Sequence, residues 1–316
     1  MTNTTLSEIM KAVRIHAYGA ADTITYEDAP IPTPAAGQVL VCVAYAGINP
    51  VDTKITSGDL KEMREMMPIT FPYTLGFDLA GTVEAVGADV TDFATGQAVY
   101  GEGLGSYAQY ALAPVTTLSA QPKTLSAAEA ASVPLGAMTA WQGLFDHGGL
   151  QAGQTVLIHG ASGGVGMFAV QFARWKGARV LATASGEGVA FVQSLGADSV
   201  IDYKTTRFED EFKEVDVVLD LVGGDTQARS FGVLKRGGIL VSALQPPSPD
   251  EARAHGVRVA VFMMQATSAL LQQIGDLIDA GKIKTVVTQT IPLSEATQPR
   301  QHVAHILGKT VLQVAP

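Results

Sequence analysis

The sequence predicts an α/β protein, with a doubly wound parallel sheet in its second half and a β-rich first third. Three observations carry that expectation. From Gln154 onward, apolar strand-sized runs alternate with helix-period segments, as in a parallel sheet covered on both faces. A glycine-rich turn, Gly160-Ala161-Ser162-Gly163-Gly164-Val165-Gly166, joins the first of those strands to the first of those helices. Ahead of Ser126, short strand-sized runs recur between Gly-containing turns, as in a compact barrel-like β domain.

Taken in order, Lys11–His16 alternates and Val39–Ala44 is a Val-rich apolar run, both fit for strands. Asp59–Met67 reads as a small helix or loop insertion stopped by Pro68, and Thr82–Val86 and Ala98–Tyr100 as further strands. Ser126-Ala127-Ala128-Glu129 is a capping box, because the Ser oxygen and the Glu three positions on satisfy free amides at a helix start. An Ala-rich helix follows, interrupted near Pro134, then a second piece, Ala137–Phe145.

Thr155–His159 is the first strand of the alternating region, and Val165, Phe168, Ala169, Phe172 and Ala173 form the apolar stripe of the next helix. Arg179–Thr183, Ser199–Asp202, Asp216–Asp220, Gly238–Ala243 and Val257–Val261 read as strands. Val189–Leu195 and Ala266–Ala280 read as helices closed by Gly196 and Gly281, and Pro246-Pro247-Ser248-Pro249 as a loop. The tail from Val286 returns to strand, helix and strand, ending at Val311–Val314.

Composition narrows the function. The 316 residues suit two domains. At 47% hydrophobic and 16% charged, they hold ample core material. The net charge of −9 argues against a nucleic-acid groove or an anionic membrane surface as the main partner. The single cysteine, Cys42, removes intrachain disulfides and any Cys-rich zinc site, and points to a reducing compartment. No apolar run reaches the roughly 18 residues of a membrane span, and Met1–Met10 has no signal-peptide core. A cytoplasmic protein is the expectation.

The glycine turn is the strongest motif. Glycine allows a tight turn and lets pyrophosphate approach without a Cβ in the way, while the amides of the helix start face the anion. The spacing is G-x-x-G-x-x-G, and no Gly-Lys-Ser/Thr follows, which excludes a P-loop. The cofactor's identity is decided at the end of the second strand, Ala182-Thr183-Ala184-Ser185. An acid there would bind a ribose hydroxyl and repel a 2′-phosphate. None stands at Ala184 or Ser185, so NADP(H) is expected, although Glu187 lies close by. Tyr203 and Lys204 either flank the adenosine phosphate or form a solvated strand end.

Together these motifs resemble the quinone oxidoreductase/zeta-crystallin family of zinc-independent medium-chain reductases. The resemblance rests on Gly153-Gln154-Thr155-Val156-Leu157, the glycine turn, Gln171 and Arg174, Gly47-Ile48-Asn49-Pro50-Val51-Asp52-Thr53-Lys54, and Leu75-Gly76-Phe77-Asp78-Leu79-Ala80-Gly81. Asp220-Leu221-Val222-Gly223-Gly224, Gly237-Gly238 and Gly308-Lys309 extend it to the C-terminus. It implies a GroES-like β-barrel-type domain from residues 1–125 and 287–316, a Rossmann NADP-binding domain over 126–286, and an active site in the cleft between them. It also implies a homodimer through edge strands near Val257–Phe262.

In the family's zinc alcohol dehydrogenases a Cys and a His bind the metal. Asn49 and Phe77 stand at those places here, so no catalytic metal is expected. Without one, the fitting acceptors are quinones and α,β-unsaturated carbonyls, whose developing negative charge spreads onto an oxygen. Asn49 is expected beside nicotinamide and substrate carbonyl as a hydrogen-bond donor, or else as a loop cap before Pro50. Asp52 orients Asn49 or Lys54, or caps the turn.

Lys54 stands where several relatives have Tyr. It anchors a carbonyl or a phosphate, or is solvated. Tyr45 is a substrate contact or core. Thr139 touches the nicotinamide ribose or phosphate, or bonds back within its helix. The cofactor set is completed by Gly160, Ala161, Ser162, Gly163, Gly164, Val165, Ser185 and Tyr203, and by Val222, Leu244 and Phe262, which pass along the nicotinamide or are plain core. Phe262, with Met263 and Met264, lines the substrate cleft or a dimer edge. His159 is expected to pack, His302 and His305 to share a surface helix face, and Cys42 to be a small core residue. The resemblance leaves two other functions open: a trans-2-enoyl thioester reductase, and a non-enzymatic NADPH-binding crystallin-like protein.

Overall fold

The structure, a computed structural model, describes residues 8–19, 23–63, 68–297 and 306–315. The first part of the chain is strand-rich. It contains β1 (Ile9–Ile15), β2 (Ile24–Pro30), β3 (Gln38–Gly47), helix α1 (Pro50–Ser57), β4 (Tyr73–Thr74), β5 (Asp78–Val86), β6 (Ala98–Glu102), β7 (Tyr110–Pro114) and β8 (Leu118–Ala120). Helices α2 (Ala127–Ala131) and α3 (Pro134–Trp141) lead into the alternating region, with a π-helical extension, Gln142–His147, after α3.

That region runs β9 (Thr155–Ile158), α4 (Gly166–Lys176), β10 (Arg179–Ala184), α5 (Glu187–Ser194), β11 (Ser199–Asp202), α6 (Phe208–Glu211) and β12 (Val215–Asp220). It continues through α7 (Gly224–Ser230), β13 (Leu234–Ser242), α8 (Pro249–His255), β14 (Arg258–Val261) and α9 (Ser268–Asp279). Strands β15 (Val287–Pro292) and β16 (Lys309–Gln313) complete the described chain.

Strands β9 to β14 form one six-stranded parallel sheet in the order β11-β10-β9-β12-β13-β14. Counted from its first strand this is 3-2-1-4-5-6, the Rossmann order, whose ligand crevice opens at the carboxyl ends beside the first strand. The tail does not extend that sheet. Strand β16 pairs antiparallel with β3, so the last residues return to the sheet β15-β16-β3-β5-β6-β8. That return places Lys309 beside the segment that follows β3. Apolar residues of both sheets, Ala80, Tyr100 and Val311 among them, share one core cluster with the Rossmann helices, and Tyr100 Oη donates to Leu271 O at 2.6 Å.

Local chemistry explains most boundaries. Ser126 Oγ accepts from Glu129 N while Glu129 Oε2 accepts from Ser126 N at 2.9 Å, closing the expected capping box. Several expectations need correction. Pro246–Pro249 is not all loop: Ser248 caps α8 and Pro249 occupies its first turn, where a missing N–H costs nothing. The strands Ile24–Pro30 and Tyr110–Pro114 were not anticipated: the first is polar over much of its length, and the second is only five residues long and ends at a proline. Cys42 is half-buried on β3 beside Tyr110 rather than a core residue, and burial pushes its thiol up. The expected tail helix with His302 and His305, and the end of the Asp59–Met67 segment, lie outside the described residues.

Candidate active site

A cavity of about 790 Å³ follows the carboxyl ends of β9, β10 and β12 and continues to the residues between β3 and α1 and to the start of β16. Asp220 builds one wall. It is fully buried at the end of β12; its Oδ1 accepts from Val222 N (3.0 Å) and Gly223 N (2.8 Å), and its Oδ2 from Gln227 Nε2 (2.9 Å) and Ser242 Oγ (3.1 Å). Four donors on one carboxylate fix the loop and hold Val222 out into the cavity, half exposed.

The glycine turn supplies the floor. Its residues do different jobs. A Cβ on Gly166 would collide with Gly160 O and the Ala161 backbone, so this glycine lets α4 pack on the turn. Beside Gly163 the protein leaves open space, with only Gly160 O near, at 3.5 Å, so a Cβ there would project into the cavity region. The amides of Gly164 and Val165 find no acceptor among the described residues, and they lie where α4 begins. Free amides, a helix start and the open space beside Gly163 fit a pyrophosphate.

His159 lies beneath the turn, fully buried but bordering the cavity. Its tautomer follows from its partners. Ser230 Oγ gives its proton to Thr226 O at 2.6 Å. His159 Nε2 must therefore donate to Ser230 Oγ (3.0 Å), and Nδ1 accepts from Thr183 Oγ1 (2.9 Å). Burial holds its pKa down to about 4, so the ring is neutral and structural.

The other end is organised around a buried ammonium. Lys309 Nζ donates to Asn49 Oδ1 (2.5 Å), Ile48 O (3.2 Å) and Asp78 Oδ2 (3.4 Å). Asn49 Nδ2 donates to the same Asp78 oxygen at 2.9 Å, and Leu135 N, in the first turn of α3, donates to Asp78 Oδ1 at 2.9 Å. Burial raises the Asp78 carboxyl, and Lys309, Asn49 and Leu135 oppose that rise. Opposite Asp78 across the β5–β6 ladder stands Glu102. Its pKa is pushed up to about 7, first by burial and then by the Asp78 charge.

Of the residues singled out in the sequence, Asn49, Gly160, Ser162, Gly163, Gly164, Val165, Ser185, Tyr203 and Val222 line the cavity. Ser185 Oγ and Tyr203 Oη meet at 3.1 Å. The nearby Asp202 carboxylate accepts from Gly186 N and Lys204 N, which lowers its pKa.

The remaining residues sit elsewhere. Ala161 is fully buried, its N–H on Thr183 O. Thr139 Oγ1 donates back to Leu135 O at 2.6 Å. Asp52 closes the first turn of α1, accepting from Asn49 N (2.9 Å) and Tyr107 Oη (2.7 Å). Lys54 lies in the last turn of α1, outside the cavity lining. Tyr45 packs against the core, Leu244 lies behind Gly223, and Phe262 stacks on His147 with centroids 4.5 Å apart.

Lys309 and Asp78 were missed as site residues. Both stand inside quoted motifs, and the tail was expected to join the first domain, but no motif pairs Lys309 with Asn49 and Asp78. Phe77 and Asn49 stand where zinc ligands would, and Lys309 already supplies the local positive charge. This donor set, one carboxamide and one committed carboxylate, does not fit zinc. Among the described residues no group of three His, Cys, Asp or Glu is arranged to hold a metal.

The chain is similar to known proteins over most of its length. Residues 35–123 match the family model described as the alcohol dehydrogenase GroES-like domain, and residues 195–312 the one described as zinc-binding dehydrogenase. The mouse protein named quinone oxidoreductase is 33% identical over 96% of both chains. The tomato 2-methylene-furan-3-one reductase is 33% identical, covering 93% of this chain and 75% of its own. The solved quinone oxidoreductase of Coxiella burnetii superposes with a TM-score of 0.90 at 31% identity, covering 97% of this chain and 100% of its own.

Proposed function

Because the chain belongs to the quinone oxidoreductase family of medium-chain dehydrogenases and reductases, we propose that it is an NADPH-dependent, zinc-independent reductase of quinones or α,β-unsaturated carbonyls. The observation that carries this reading is the single cavity joining the glycine turn to Asn49 and Lys309. One end of the cavity has free amides for pyrophosphate, and the other has an oriented amide donor with no metal-binding set among the described residues.

The residues divide the work. Gly163, Gly164 and Val165 hold the diphosphate, with Ser162 and Val222 on either side. Ser185 and Tyr203 receive the adenosine ribose. The end of β10 carries no acid at Ala184 or Ser185, and this favours NADPH over NADH; the Asp202 carboxylate next to them is held by Gly186 N and Lys204 N. The dinucleotide, when bound, supplies hydride. Asn49 offers an N–H to the oxygen on which negative charge grows. Apolar Ile48, Pro50 and Leu135 orient the acceptor and keep water out. Tyr45, Lys54, Thr139, Leu244 and Phe262 stand outside the lining and are left without a role in this scheme. The proposed division is 1–125 with 287–316 as the GroES-like domain and 126–286 as the Rossmann domain.

The edge strand β14 and its continuation expose Val261 and Met263, which supports a homodimer joined there. No helix among the described residues is long and apolar enough to cross a membrane. A cytoplasmic location remains the proposal from cysteine usage.

The test is to titrate NADPH and NADH by fluorescence quenching, then follow absorbance at 340 nm (an assay wavelength) with 1,4-benzoquinone, an alkenal and a crotonyl thioester. Tighter NADPH binding and oxidation by quinone or alkenal are expected. Tighter NADH binding would overturn the cofactor choice. Preference for the thioester would move the protein to the enoyl reductases, and binding without turnover would make it a crystallin-like NADPH carrier. Stoichiometric zinc by atomic absorption would refute metal independence.

A further inference from the structure

We propose that Lys309 is a positioning residue that orients and polarises the Asn49 carboxamide, leaving that amide's second N–H presented to the cavity. This rests on the reductase reading above and adds to it the group that sets the donor.

Lys309 is fixed from three sides. It opens β16, whose ladder with β3 pairs Val311 with Gly47 and Leu312 with Ala46, and Ile48 N donates to Thr310 O at 3.1 Å. Its stem lies against the glycine turn: a Cβ on Gly164 would come within 2.6 Å of Lys309 Cδ. Its head has three acceptors within 3.4 Å, which match the three hydrogens of an ammonium. With the side chain 4% exposed and all three hydrogens engaged, Lys309 has none left for a phosphate or a substrate. Its effect passes through its partners.

The chief partner is Asn49. An ammonium only donates and an ionised carboxylate only accepts. The amide oxygen must therefore face Lys309 and the amide nitrogen must face Asp78. The flipped amide would set Nδ2 against the ammonium and Oδ1 against the carboxylate, both repulsive. One N–H is used on Asp78, and the other remains on a residue that lines the cavity. A cation on Oδ1 draws density from the amide and strengthens that remaining donor. Asp78 is in turn anchored on Leu135 N, so the amide is referenced to α3 as well as to β5. The sequence places an amide where the zinc enzymes have a ligand, and the tail returns a fixed cation to the same spot.

The test has an arm independent of turnover. In 15N-labelled protein the Asn49 side-chain amide pair, assigned by its loss in N49S, should exchange slowly and lie away from the positions of exposed Asn amides. K309M and K309Q should shift that pair and speed its exchange, while K309R should retain most of the signature. In the NADPH assay, K309M should lower kcat by about tenfold to a hundredfold, the scale of a misplaced catalytic group. NADPH affinity should change less than threefold. The double variant K309M/N49S should lose little beyond N49S alone.

An Asn49 pair that exchanges in the wild type as fast as exposed amides would overturn the inference without any variant. So would K309M spectra with that pair unmoved, or parallel losses in affinity and kcat. If the wild type turns over no acceptor, the functional reading fails, and the amide signals still decide the role of Lys309.

Discussion

Replacing Glu102 by Gln should stabilise the protein at alkaline pH and leave it unchanged in acid. Glu102 stands opposite Asp78 in the β5–β6 ladder, and no cation pairs with it among the described residues. Its carboxyl is raised from 4.5 to about 7, mainly by burial and further by the Asp78 charge. The folded protein therefore holds this proton more tightly than the unfolded chain does. Between pH 4.5 and about 7 the folded state binds more protons, so stability falls as pH rises through that window.

The displacement from 4.5 to about 7 amounts to roughly 3 kcal/mol at about 1.4 kcal/mol per pH unit. That loss is absent below the lower value and complete above the upper one. Gln keeps the shape and the hydrogen-bonding capacity of the neutral acid but does not ionise. Urea unfolding of E102Q and wild type, followed from about pH 4 to about pH 8.5, should show a difference that grows across the window in favour of the variant. A difference that stays flat with pH, or grows toward acid, would refute the reasoning.

The opposite slope belongs to His159. Its folded pKa of about 4 lies below the ordinary 6.5 because burial disfavours the charged ring, so stability is complete above 6.5 and falls by up to roughly 3 kcal/mol toward pH 4. H159N, compared with wild type in the same urea series, should lose that acid-side decline; a decline that persists would show that another group carries it. Gly166→Ala places a Cβ against Gly160 O and the Ala161 backbone, which should displace the start of α4. NADPH affinity should fall by at least tenfold, a loss of about 1.4 kcal/mol, and unchanged fluorescence titrations would contradict that packing role.

Much of the fold was legible in the sequence because it is written in local chemistry. The alternation of Val-rich strands with helix-period stripes requires a parallel sheet, the Ser126–Glu129 pair closes its own cap, and in the glycine turn Gly160 takes the left-handed backbone while Gly166 clears the start of α4. The resemblance also put Asn49 and Phe77 where the zinc alcohol dehydrogenases have a Cys and a His.

What the tertiary structure decided is long-range. Lys309 lies 260 positions from Asn49 in the chain, and only the pairing of β16 with β3 brings the two together. Thr139 was ambiguous because a hydroxyl in a helix has a carbonyl always in reach, and here it takes Leu135 O. Asp52 was ambiguous because a carboxylate three positions after Asn49 suits both a cap and a catalytic role, and packing against Tyr107 turned it to the cap. The residue types thus determined which chemistry is available to this protein. The return of the tail determined where the charge sits, because an ion can be buried only where the chain gathers partners for every one of its hydrogens.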